Sequence, residues 1–191
     1  MKARVVDADP RWEDEGFEWA QRVRDILGGL VLDIDHVGST AVPGLAAKDV
    51  IDIQALAYDL DEAAPAIAAL KSAGFIFDAS KRGEAPRPGY PEHPDCWDRL
   101  YFRGPKDARP VILHLREVNT AGGRVPLLLR DYLREDDLVR DQYGALKLGL
   151  ARYVDSERGY QALKQPFVAV TLRLAESWAE RTRWRLGQSD A

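Results

Sequence analysis

The chain has 191 residues, 46% hydrophobic and 30% charged, with a net charge of −4, which suits one globular domain with its own core and excludes global disorder. That acidic balance argues against general nucleic-acid binding, and no apolar run is long enough to span a membrane. The single cysteine, Cys96, excludes an intrachain disulfide and suits a reducing cytoplasm; His36, His93 and His114 have no spacing that would complete a structural zinc site with it.

Asp9-Pro10 has the form of a helix start, and Trp12, Trp19, Ala20, Val23, Ile26 and Leu27 follow at helical spacing until Gly28-Gly29. The charged N-terminus "MKARVVDADPRWEDEG" lacks the apolar stretch of a signal peptide. Leu30 to Val37 reads as a strand, with Leu30, Leu32, Ile34 and His36 on one face and Val31, Asp33, Asp35 and Val37 on the other. Residues 38–48 form a loop, and Val50 to Ala57 is a second strand, rich in β-branched residues. A helix is expected from about Asp61 to Ala73, then a short strand at Phe75–Phe77. Residues 79–95, rich in proline and glycine, read as a long loop of the kind often used for function. Trp97–Arg103 and Val111–Glu117 alternate as strands joined by a turn over Gly104–Ala108. After Gly122-Gly123 the pattern becomes helical, with a break near Arg134–Asp137 and a restart at Pro166. The expectation is one α+β domain over 1–191, with a mixed-sheet core to about residue 123 and a helical C-terminal third.

The chemistry concentrates in "DIDHVGSTAVPGLAAKDVIDIQ", Asp33 to Gln54. A Gly-Ser turn after a strand lets the backbone approach an anion and point N–H groups and a hydroxyl at it; the plainer reading is a tight turn. Asp52 then interrupts an apolar strand. A carboxylate there is costly unless it is paired or binds a metal, so Asp52 is either a Mg²⁺ ligand facing the Gly38-Ser39 turn or the partner of a buried arginine.

"HVGSTAVPGLAAKDVIDI", "LLRDYLRE", "QYGALKLGLA" and "YQALKQPFV" resemble the GrpB-like family of the nucleotidyltransferase superfamily, over about Val6 to Val168. The resemblance implies a polymerase-β-like nucleotidyltransferase fold, in which a Gly-Ser turn holds a nucleoside triphosphate and an acidic pair on the next strand holds Mg²⁺. Gly38 and Ser39 match the turn, and Asp52 matches the first acid. Gln54 stands at the second acidic position, and His114 stands where a third acid often sits. His36, Arg99, Arg103, Arg130, Lys147 and Lys164 are the expected phosphate-binding residues, and Lys48, Asp52 and His114 the expected catalytic ones. The expected partners are a nucleoside triphosphate and a small-molecule acceptor, with the oligomeric state left open. The expected activity is transfer of a nucleoside monophosphate, or adenylation of a carboxylate. The alternative is a non-catalytic nucleotide or phosphometabolite sensor that has lost its second acid.

Overall fold

The computed structural model describes residues 2–106 and 109–187, so the turn expected over 104–108 lies partly outside the described residues. Helix α1 (Arg11–Leu27) ends at Gly28, whose φ of 51° lies in the left-handed region that glycine tolerates. Strand β1 (Asp33–Val37) is shorter than the expected Leu30–Val37, because residues 28–30 wind into a 3₁₀ turn. Then come β2 (Ile51–Ala57), α2 (Ala64–Ser72), β3 (Ile76–Phe77), β4 (Arg99–Arg103) and β5 (Val111–Glu117). The helical part is α3 (Ala121–Glu135), α4 (Asp137–Tyr153) and α5 (Glu157–Thr182). Asp136 both ends α3 and caps α4, its carboxylate accepting from the Val139 N–H at 3.0 Å, which places the break where the sequence predicts it.

The strands form one mixed sheet in the order β1-β2-β5-β4-β3. β2 and β5 run parallel; the other neighbours are antiparallel. Thus β1, β2 and β5 are neighbours. β2 is largely buried on both faces; its α1 side is apolar throughout, whereas Asp52 and Gln54 interrupt the other side.

The two faces of the sheet differ. Ile51, Ile53, Ala55 and Ala57 with Leu113 and Leu115 join Trp12, Trp19, Val23 and Leu27 of α1 in the main core. The opposite face carries Asp35, Asp52, Gln54, His114 and Arg116 and is covered by α3, with Leu56 and Val37 packed on Leu127.

Residues 157–182 form one continuous helix rather than a helix restarting at Pro166. A proline inside a helix costs about 3 kcal/mol. The buried stripe of Tyr160, Val168, Leu172, Ala175 and Ala179, packed against the neighbouring helices, outweighs that cost.

Candidate functional site

Gly38 ends β1 with φ 75°, and a Cβ on it would lie 2.8 Å from Asp52 Oδ2. Glycine is therefore required twice, for the backbone angle and for the approach to the carboxylate. Ser39 follows at the start of a 3₁₀ turn. Antiparallel pairing places Val37 opposite Asp52, which brings the turn and the acid together.

Asp52 is not the partner of a buried arginine. His114 Nε2 lies 3.4 Å from its Oδ1, and Arg99 Nη1 lies 2.7 Å from His114 Nδ1. Because the guanidinium can only donate, His114 Nδ1 accepts, and the ring proton sits on Nε2 facing Asp52. Burial pushes His114 below its ordinary pKa despite Asp52, so the ring is neutral. The buried-arginine pairing belongs instead to Asp35, bonded by Arg130 Nη1 at 3.1 Å. Arg130 also bonds Asp131 at 2.6 Å and the His36 carbonyl at 3.0 Å, so it fastens α3 to β1.

Two adjoining cavities of about 230 Å³ each open between the sheet face and the helices. Ser39, Asp52 and Lys164 line both. One adds Lys48, Lys147 and Tyr160. The other adds Gly38, Arg87, Arg116 and Glu84 with an apolar wall that includes Trp97, Val125 and Leu129.

Lys147 is 2% exposed, and its Nζ has no hydrogen-bond partner among the described residues. The Nζ sits 4.5 Å from the Tyr143 ring centroid, and burial, with nearby Lys164, lowers its pKa to about 6. Burial, then Lys48 and Arg87, lowers Lys164 to about 8. Lys48 is ion-paired with Glu157 and lies 5.2 Å from the Tyr160 ring centroid.

Four expected site residues, His36, Arg99, Arg103 and His114, line neither cavity. His36 sits on the α1 side of β1, because side chains alternate along a strand and Asp35 takes the cleft face. Its Nε2 bonds Thr40 at 3.0 Å, and burial lowers its pKa to about 4, so it is a neutral structural residue. His36, Asp52 and His114 therefore do not converge on one cleft. Arg103, at the far end of β4, is half-exposed, lies 3.8 Å from Asp78 and lines neither cavity. Arg99 lies behind His114 and pairs with Glu84 at 2.8 Å. Glu84, Arg87 and Arg116 were not among the predicted site residues. For Arg116 the two-residue alternation with His114 was the available signal; for Glu84 and Arg87, within the proline-rich loop, no sequence pattern pointed to the cleft.

Of the two carboxylates lining the cavities, Glu84 is already matched by arginines, which leaves Asp52. Gln54 is fully buried and donates from Nε2 to the Gly123 carbonyl at 2.8 Å, which ties β2 to α3, while its Oε1 has no partner among the described residues. Among the described residues no group of three or more His, Cys, Asp or Glu side chains is arranged to hold a metal. The residues fit one Mg²⁺ held by Asp52 and a ligand's own phosphate oxygens; they do not fit a two-metal site.

A mixed sheet with a helical second part and a Gly-Ser turn facing Asp52 defines an α+β protein with its cleft on one face of the sheet. Residues 2–173 match the family model described as GrpB protein, and the chain belongs to that family. It is 32% identical over 195 residues to the dephospho-CoA kinase of Mycolicibacterium paratuberculosis, covering 95% of this chain and 48% of the relative. The chain thus spans about half the length of the dephospho-CoA kinases that it matches. Among solved structures, the conserved protein GrpB from Enterococcus faecalis matches with a TM-score of 0.70 and 27% identity, over 92% of this chain and 99% of the other. The GLD-2/RNP-8 complex matches in fold alone, with a TM-score of 0.56 and 13% identity, over 97% of this chain and 70% of the other.

Proposed function

We propose that the cleft binds a nucleoside triphosphate with one Mg²⁺ and that the chain transfers a nucleoside monophosphate to a small-molecule acceptor. The observation that carries this reading is the meeting of the Gly38-Ser39 turn, Asp52 and two desolvated lysines, Lys147 and Lys164, around one cavity system. A triphosphate supplies the charge that these amines lack. Lys48 adds a third cation at the rim. Gly38 lets the phosphates approach the backbone, and the Ser39 hydroxyl donates to a phosphate oxygen. The bound Mg²⁺ would neutralise charge on the phosphates. The neutral His114 holds Asp52 in position through its Nε2–H. An ionised oxygen of the acceptor forms the new bond to the α-phosphorus, and the electron pair of the broken P–O bond leaves with pyrophosphate.

A second reading is favoured by Gln54 and His114, which stand where the resemblance implies further acids. In that reading the cleft binds the nucleotide, or a phosphometabolite, as a sensor without turnover. Calorimetry with non-hydrolysable triphosphates, with and without Mg²⁺, tests binding. Pyrophosphate release in the presence of acceptors separates the two readings. No binding of any triphosphate under either condition would remove both as nucleotide readings.

A further inference from the structure

Arg116 is 3% exposed, and only its Nη2 is engaged, 3.0 Å from Glu84 Oε2. Its Nε and Nη1 have no partner among the described residues, and neither has the Nε of Arg99. Arg87 lies 3.8 Å from the same Glu84 oxygen. Three guanidinium groups thus share one carboxylate. Burial acts to raise the pKa of Glu84, but Arg116 and Arg99 outweigh it and hold the group ionised. Gly122 at the start of α3 leaves the needed room: a Cβ there would lie 3.2 Å from Arg116 Nη1 and 3.1 Å from the Cys96 carbonyl. Arg87, Arg116, Gly122 and Asp52 line the same cavity.

A buried guanidinium with two unmatched donors is costly unless an anion completes it. We propose that Arg116, supported by Arg87 and Arg99, anchors a carboxylate on the second substrate. Glu84 already seats a carboxylate between Arg99 and Arg116, so the spacing suits that planar group. Trp97, Val125 and Leu129 on the cavity wall take the carbon chain. Lys48 and Lys147 line only the neighbouring cavity, and Lys164 lines both, so two anions can be held on either side of Asp52. As the acceptor's anchor this site rests on the nucleotide reading above; as an anion site it stands on the arginines alone.

Isothermal titration of the full chain compares succinate with uncharged succinamide and with inorganic phosphate. Succinate should bind at least tenfold more tightly than either. Arg87→Met, at a partly exposed position that tolerates substitution, should weaken succinate at least fivefold. Glu84→Gln removes the competing carboxylate and should tighten succinate severalfold, a gain that misfolding does not produce. Lys147→Met should abolish triphosphate binding and leave succinate binding in place. Absent succinate binding, equal binding of succinamide or phosphate, or unchanged affinity in both the Arg87 and Glu84 variants overturns the site. Succinate binding that responds to those variants in a chain that binds no triphosphate keeps the anion site and removes the nucleotide reading.

Discussion

The two faces of the sheet are built from the same strands, yet one is a hydrocarbon core and the other a network of charges. Toward α1 and α2, Ile53, Leu113 and Leu115 pack with no exposed surface and no polar group to satisfy. Toward α3, the same strands hold Asp35, Asp52, Gln54, His114 and Arg116 in a partly closed space. The charged face itself divides in two. Asp35 and Arg130 form an ion pair, although Asp35 Oδ2 has no hydrogen-bond partner among the described residues, whereas Lys147 and Arg116 retain donors with no such partner. Burial of matched charge serves structure, and burial of unmatched charge is a cost that folding has to carry and that a ligand can relieve.

The comparison breaks most visibly at Arg130. Arg130→Ala leaves Asp35 buried without its cation and should destabilise the chain by about 3–5 kcal/mol, read by chemical denaturation. Leu113→Ala on the apolar face should cost about 2–5 kcal/mol through its cavity. Triphosphate affinity, measured by calorimetry well below the melting temperature, should not change in Leu113→Ala.

Lys147→Met should act in the opposite direction, stabilising the fold by about 1–4 kcal/mol, as when buried ionic groups yield to apolar ones. It should also remove triphosphate binding. Loss of stability in this variant would show that Lys147 is matched in solution. The same residue predicts a pH dependence. Its pKa is about 6 in the folded chain against an ordinary 10.5, so between these values the unfolded chain binds more protons. The Lys147 contribution to stability is therefore least favourable near pH 6 and improves as pH rises toward 10. Melting temperature across that range, compared between wild type and Lys147→Met, isolates this slope.

Asp52→Asn should change stability by less than about 1 kcal/mol, because its bond to His114 is long and the side chain is partly exposed. It should nonetheless remove the Mg²⁺-dependent part of triphosphate binding, read by titration with and without the cation. Gln54→Glu should not strengthen that binding, because the new carboxylate would face the Gly123 carbonyl and lose a donor. The smallest signal is proton uptake. A triphosphate raises the pKa of Lys147, so binding near pH 7 should take up a fraction of a proton and weaken as pH rises, read by titration in buffers of different ionisation enthalpy.

The local rules of the chain determined much on their own. Alternation over Ile51–Ala57 and Val111–Glu117, helical spacing over Trp12–Leu27, and the Gly38-Ser39 turn before Asp52 all act between near neighbours, so they are legible in the sequence. The same alternation put His36 and Asp35 on opposite faces, but which face meets α1 and which meets α3 depends on packing. That choice makes His36 structural and gives the buried arginine to Asp35 instead of Asp52. Burial of Lys147, the tether of Gln54 to α3, and the meeting of Glu84 with Arg116 from 32 residues away were likewise decided only in three dimensions. The sequence states that a side chain is charged; whether that charge is matched is a property of the elements that the fold brings around it.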